Sequence, residues 1–246
     1  MITLDHITAC FGNRRILDDI NATIAEGRVT AVMGPNGCGK TTLLRCIGGL
    51  LEPTGGQVLI DGRRVQDFSA RALARQVAFV RQQAQTDFEF SAFETVLMGR
   101  NPYQKRLQNE SQKDWDIVEQ CMRQTGTWHL RLSKPHEMSG GEMQRVMIAR
   151  ALAQQTPVLL MDEPVSNLDI AHQLEIMHLL REAGKSVVIV IHDLNLALQF
   201  CDDLLLFHDG HLLFQGAMSE GLTPENIRVV YGVETHMAEG HIVFNY

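Results

Sequence analysis

Gly34-Pro35-Asn36-Gly37-Cys38-Gly39-Lys40-Thr41-Thr42 decides how this chain is read. The stretch fits the pattern GxxxxGK[ST], and its flanks supply the context that pattern needs. The apolar run Val29 to Met33 before it reads as a buried strand, and Thr41 to Leu50 after it reads as a helix. Glycines let backbone N–H groups turn inward around phosphate oxygens, Lys40 can reach β- and γ-phosphates, and the Thr41 hydroxyl can ligate Mg²⁺. Gly34, Asn36, Gly37, Cys38, Gly39, Lys40, Thr41 and Thr42 are therefore candidate contacts to a nucleoside triphosphate. The competing explanation, a glycine-rich turn that matches by accident, does not account for strand, loop and helix in the required order.

The 246 residues, 45% of them hydrophobic, suffice for one large α/β domain or two small ones. A net charge of -7, without any run of Lys or Arg, makes DNA or RNA a poor partner. Cys10, Cys38, Cys46, Cys121 and Cys201 are odd in number and form no CxxC, which argues for a reducing compartment and against a zinc site or disulfide framework. The histidines lack metal-ligand spacing. No apolar stretch has the length of a membrane span, and no basic-then-apolar leader opens the chain. The expectation is a cytosolic protein whose membrane role, if any, comes through a partner.

Ile2 to Ile7 and Ile20 to Ile24 alternate as strands around Gly12-Asn13, and Val58 to Ile60 before Asp61-Gly62 looks like half a hairpin after a turn at Pro53 to Gly56. Ser69 to Gln76 reads as a short helix and Val77 to Val80 as a strand. Residues 84 to 150 then look like a helical insertion. Ser91-Ala92-Phe93-Glu94 and Ser139-Gly140-Gly141-Glu142 both fit a capping box, and Asp114 to Thr125 is amphipathic up to Gly126. Strand–helix alternation returns with Val158 to Met161, a helix from Ile170 to Ala183, and Val187 to Ile191. A hairpin from Leu204 to Gln215 turns at Asp209-Gly210, and the tail holds a helix after Pro224 and a strand from His241 to Asn245.

Asp162 and Glu163 end an apolar strand, where α/β sheets place their ligands. Asp162 is set to hold Mg²⁺, directly or through water, and Glu163 to orient and deprotonate a water in line with the γ-phosphate. His192, at the end of the next apolar strand, can hydrogen-bond the γ-phosphate or that water, or can be an ordinary polar strand-end residue.

Together with Met138-Ser139-Gly140-Gly141-Glu142, these motifs closely resemble the ABC ATPase family. Met138 to Glu142 resembles the LSGGQ signature, with Met for Leu and Glu for Gln. Asp162-Glu163-Pro164 resembles Walker B, Ser166 to Asp169 the D-loop, His192 the switch histidine, Gln82 the Q-loop glutamine, and Phe11 the aromatic that stacks on adenine. Arg81 stands where proline is common and Gln83 follows Gln82, so the Q-loop position is uncertain by one residue. The resemblance covers nearly the whole chain. It implies a single domain over residues 1–246: a P-loop NTPase core with an N-terminal antiparallel β subdomain and a helical subdomain near 84–150. It implies ATP and Mg²⁺ as ligands, Glu163, His192 and Gln82 in catalysis, and Thr41, Gln82 and Asp162 at the metal. Ser139, Gly140, Gly141, Glu142 and Asp169 are then contacts to a nucleotide held by a second copy, in a head-to-tail homodimer.

One ATPase unit with no heptad run and an acidic balance favours a membrane importer over a soluble ABC ATPase acting on DNA or ribosomes. Such an importer needs two membrane-spanning permease subunits, acts indirectly with an extracytoplasmic substrate-binding protein, and places this chain at the cytoplasmic face of the cell membrane. Met98 to Tyr103 and Asp193 to Ala197 are similar to segments of the iron-siderophore, haem and cobalamin uptake group, the alternative being that they merely pack the helical insertion and core. Phe88, Phe90, Phe93 and Met98 are expected to floor a groove for a permease helix, about half of them being core instead. Cys38 lies near a helix N-terminus, which can lower a thiol pKa and expose ATPase activity to alkylation; the alternative is a small residue tolerated for its size.

Overall fold

The computed structural model describes residues 1–81, 90–104 and 110–245. Apolar alternation at the N-terminus becomes a half-buried antiparallel sheet. β1 (Ile2–Phe11) and β2 (Arg14–Ile24) pair across Gly12-Asn13, with Ile2 opposite Ile24 and Phe11 opposite Arg14. After β3 (Val29–Met33) and α1 (Lys40–Ile47), the strands β4 (Gly55–Ile60) and β5 (Arg63–Arg64) complete the order β2-β1-β4-β5. Gly55-Gly56, expected as a turn, opens β4 instead. Gly56 has φ 74°, and a Cβ there would lie 2.2 Å from the His6 carbonyl oxygen, so only glycine lets β4 start against the irregular middle of β1.

The helix expected over Ser69 to Gln76 shrinks to α2 (Ala70–Leu73), because a turn leads directly into β6 (Val77–Val80). α3 (Ala92–Leu97) starts at the Ser91–Glu94 capping box. α4 (Gln112–Gln124) begins two residues before the expected Asp114, since Ser111 caps it and Asp114 returns the hydrogen bond that Glu usually makes. α5 (Gly140–Ala153) continues past residue 150. Arg100 staples these helices. Its Nε donates to Asp114 Oδ1 at 2.9 Å and its Nη1 to the Ala153 carbonyl at 2.7 Å. Pro102 in turn accepts from Arg71 and Arg75 near α2, both at 2.9 Å. The Met98 to Tyr103 segment is therefore a packing element of the helical region.

β7 (Val158–Asp162), α6 (Ile170–Glu182), β8 (Ser186–Val190), α7 (Leu194–Phe200), β9 (Asp203–His208) and β10 (His211–Ala217) complete a six-stranded sheet of order β10-β9-β3-β8-β7-β6. All neighbours in it are parallel except β9–β10. Burial on both faces explains the continuous apolar runs. Met33, Met161 and Ile189 join the core that also holds residues of α4, α5, α6 and α7; Val32, Leu160 and Val188 share a second core with Leu43 and Ile47 of α1 and the N-terminal sheet. α1 is thus packed between two sheets. The tail adds α8 (Met218–Gly221), α9 (Pro224–Tyr231) and a hairpin of β11 (Thr235–Ala238) and β12 (His241–Phe244). α7, α8 and β11 were not anticipated. Asn195 of α7 binds both backbone groups of Ile242, donating to its carbonyl at 3.1 Å and accepting its N–H at 2.8 Å. Among the described residues no helix is long and apolar enough to cross a membrane.

Candidate nucleotide site

The loop between β3 and α1 is shaped by glycines that nothing else can replace. At Gly34, φ is 145° and a Cβ would stand 2.4 Å from the Phe207 carbonyl oxygen; at Gly39, φ is 106° and a Cβ would meet Leu17 at 2.6 Å. Gly39 caps α1 without a side-chain hydrogen bond, and no acidic residue follows in the first turn, so the helix's N–H groups stay available to an anion. Lys40 is buried, and its Nζ donates to the carbonyls of Gly34 and Pro35, both at 2.8 Å.

The Thr41 hydroxyl donates to Asp162 Oδ1 at 3.1 Å, joining the loop to the end of β7. Burial pushes the Asp162 carboxyl pKa up, only partly countered by Thr41, and nearby Glu163 pushes it further. Among the described residues no three His, Cys, Asp or Glu side chains form a metal cluster. A buried carboxylate beside a hydroxyl fits a hard divalent cation that takes its remaining ligands from phosphate and water. Glu163 follows in the left-handed region at φ 50°, which turns the chain out of the strand; its N–H donates to the Val190 carbonyl at 3.2 Å. Glu163 Oε1 lies 2.9 Å from His192 Nε2. The histidine therefore meets the carboxylate, and can orient it when Nε2 carries the proton.

These parts surround a cleft of about 290 Å³ lined by Phe11, Arg14, Asn36, Lys40, Thr42 and Glu163, among others. Phe11 is 51% exposed at its rim, an open ring face for a base. Arg14 was missed from the sequence. Its signal was its place opposite Phe11 across the two-residue Gly12-Asn13 turn, which puts both beside the loop. Cys38 is buried, and burial raises its thiol pKa more than neighbouring Lys40 lowers it. Of the two readings of Cys38, burial favours a small residue accepted for its size over an activated thiol.

A second cleft, of about 530 Å³, is lined by Ser139, Gly141, Glu142, Arg145, Asn167 and Asp169, among others. Ser139 caps α5. Glu142 Oε2 accepts both the Ser139 N–H and its hydroxyl at 2.8 Å, and these bonds hold the Glu142 carboxyl below its usual range. Asp169 caps α6, accepting the His172 N–H at 2.9 Å and meeting His172 Nδ1 at 2.8 Å. The structure thus brings Phe11, the phosphate loop, Asp162, Glu163 and His192 together, and collects Ser139, Gly140, Gly141, Glu142 and Asp169 in the other cleft. Gln82, Gln83 and Phe88 lie outside the described residues. Of the expected groove residues, Phe93 is half-buried with its ring edge-on to Trp115 and Trp128, Met98 is half-buried, and Phe90 is exposed.

The family model described as "ABC transporter" matches residues 17–166. The cobalamin import ATP-binding protein of Halobacterium salinarum is 43% identical over 88% of this chain, which spans 55% of that relative's length. The ferric enterobactin transport ATP-binding protein of Escherichia coli is 36% identical over 93% of this chain and 86% of its own. The hemin import ATP-binding protein of Bordetella avium is 40% identical over 91% and 88%. Among solved structures, a metal-chelate type ABC transporter in an inward-facing conformation superposes with a TM-score of 0.84 at 25% identity, covering 100% of this chain and 97% of the other. A dimeric bacterial ABC transporter cassette does so with a TM-score of 0.80 at 32% identity, covering 89% and 99%.

Proposed function

We propose, from the premise that this chain belongs to the family of ABC transporter ATP-binding subunits, that it binds and hydrolyses MgATP to drive a membrane importer. One observation carries the proposal. The two helix N-termini, at Gly39 and at Ser139, line different clefts, and Lys40, Thr41 and Glu163 line the first and not the second. A complete site then needs the second cleft of another copy, as in a head-to-tail homodimer with two nucleotides between the subunits. That a cassette among the structural relatives is dimeric supports pairing of two copies.

In this mechanism Phe11 stacks on the base, and the loop N–H groups receive the phosphates. Lys40 leaves its two carbonyls for the β- and γ-phosphates. Mg²⁺, when bound, neutralises phosphate charge; Thr41 and Asp162 are the residues that would hold it. Glu163, oriented by His192, takes the proton of a water that attacks the γ-phosphorus as ADP leaves. Ser139 and the α5 N-terminus of the second copy donate to the γ-phosphate, so its loss loosens the pair.

The relatives named for cobalamin, ferric enterobactin and hemin favour a chelate cargo, with an iron chelate first and haem and cobalamin next. Two permease subunits would receive this chain at the cytoplasmic face of the membrane, with an extracytoplasmic binding protein selecting the cargo. The Glu163→Gln variant tests the ATPase: hydrolysis should fall roughly 10²- to 10⁴-fold while ATP binding persists and an ATP-dependent dimer accumulates in light scattering. Near-normal turnover would defeat the general-base role. Reconstitution with its permease and uptake of labelled ferric chelates, haem and cobalamin tests the cargo.

A further inference from the structure

The receiving cleft already contains an anion. Glu142 stands in the first turn of the 14-residue α5, where the N–H groups and dipole attract negative charge. Its carboxylate holds the Ser139 hydroxyl and N–H at 2.8 Å each. A phosphate that is to bind Ser139 must take the hydroxyl proton that Glu142 now accepts. A second observation shows that the cleft is built for an anion from outside. Arg145, one turn further along α5, is only 8% exposed, and its Nε is buried without a hydrogen-bond partner among the described residues. Arg145 lines the same cleft. A buried guanidinium nitrogen left unpaired is costly and calls for an acceptor. The carboxylates of Glu142 and Asp169 feel the charge of Arg145, but Glu142 makes its hydrogen bonds to Ser139 and Asp169 makes its own to His172.

We infer that Glu142 is an internal competitor of the incoming phosphate, a carboxylate that occupies Ser139 in the single subunit and must release it when a second copy presents its nucleotide. The inference rests on the head-to-tail reading above. Its consequence is a raised threshold for closure. The subunit pair forms only when the phosphate outcompetes a like charge at the same helix end, with Arg145 stabilising the charge that arrives. A glutamine at this position keeps the capping geometry, because its amide oxygen accepts the same bonds, and removes only the negative charge. Charge, as distinct from cap, is therefore separable by one substitution.

The test measures dimer formation against MgATP concentration by light scattering in the Glu163→Gln background, with and without Glu142→Gln. The charge-neutral variant should dimerise at roughly tenfold lower ATP, as expected for removal of a like charge from a closing interface. The gap should narrow as salt is raised, because salt screens the repulsion. Glu142→Ala, which removes both the charge and the side-chain half of the capping box, should lower the threshold too while reducing thermal stability. An unchanged or higher ATP requirement for Glu142→Gln, with the parent still dimerising, overturns the competitor role and leaves the sandwich standing. A parent that shows no ATP-dependent dimer at any concentration overturns both.

Discussion

α1 and α5 each offer an N-terminus to phosphate, and they are prepared in opposite ways. α1 is capped by a glycine with no side-chain bond and no acid in its first turn; α5 is capped by a serine that its own Glu142 holds in a closed capping box. The first is an open receptor, kept in shape by steric necessity at Gly34 and Gly39. The second is satisfied by itself, and in the proposed pair it would give up that satisfaction to the partner's phosphate. On the proposed mechanism a chain built this way would bind nucleotide alone, and closing over it would be a separate, conditional event.

The sharpest way to break this contrast is to disable each half in turn. Lys40→Ala should weaken ATP binding about a hundredfold in a fluorescence titration, since it removes a charged donor from a buried site. Unchanged affinity would mean that the α1 half does not hold the phosphates. Ser139→Ala should leave single-subunit ATP affinity within about twofold but raise the ATP needed for dimerisation roughly tenfold, the loss of one hydrogen bond to a charged group. If it weakens binding to the isolated subunit instead, the two halves are not separate.

The support of the α5 half can be tested through stability. Arg100→Ala strands Asp114 and frees the Ala153 carbonyl, and should lower the melting temperature by on the order of 10 °C. Burial pushes the Asp114 carboxyl pKa up, yet its bonds to Ser111 and Arg100 outweigh that and hold it below 3.8. The sign follows from linkage. A carboxyl with a depressed folded pKa stabilises the fold above its unfolded value, and loses that contribution as pH falls through the folded one. Wild type and Arg100→Ala should accordingly converge in acid below about pH 3.8. A difference that stays constant well below pH 3.8 would assign the effect to packing alone. The smallest effect belongs to Cys38: alkylation should be slow at neutral pH, and Cys38→Ala should keep turnover within about twofold. Rapid labelling with loss of activity would reinstate an activated thiol.

Much of this architecture was legible because its signals are local. The runs Val158 to Met161 and Val187 to Ile191 read as buried parallel strands, and the structure has strands over Val158–Asp162 and Ser186–Val190; the boxes at Ser91 and Ser139 announced their helices. The phosphate loop, Asp162 and Glu163 followed from spacing. What escaped depends on tertiary neighbours. α7 is seven residues long and hides inside a motif read for its resemblance, and β11 is polar and four residues long. Arg145 looks like a surface residue on a helix until burial is seen. The Arg100 segment was read for its resemblance, with packing as the alternative, and its bonds to Asp114 and Ala153 show that it packs the helical region.

Asn195 draws one more consequence. Its side-chain amide meets Ile242 as a neighbouring strand would, so the terminal hairpin is in effect a three-stranded sheet whose third member is a single residue. Such a strand cannot slip register, because it has only one rung. It also sits in the first turn of the helix that follows His192. An aspartate there would keep the acceptor and lose the donor, unfastening half of that rung and letting the tail peel from the helix behind the reacting groups.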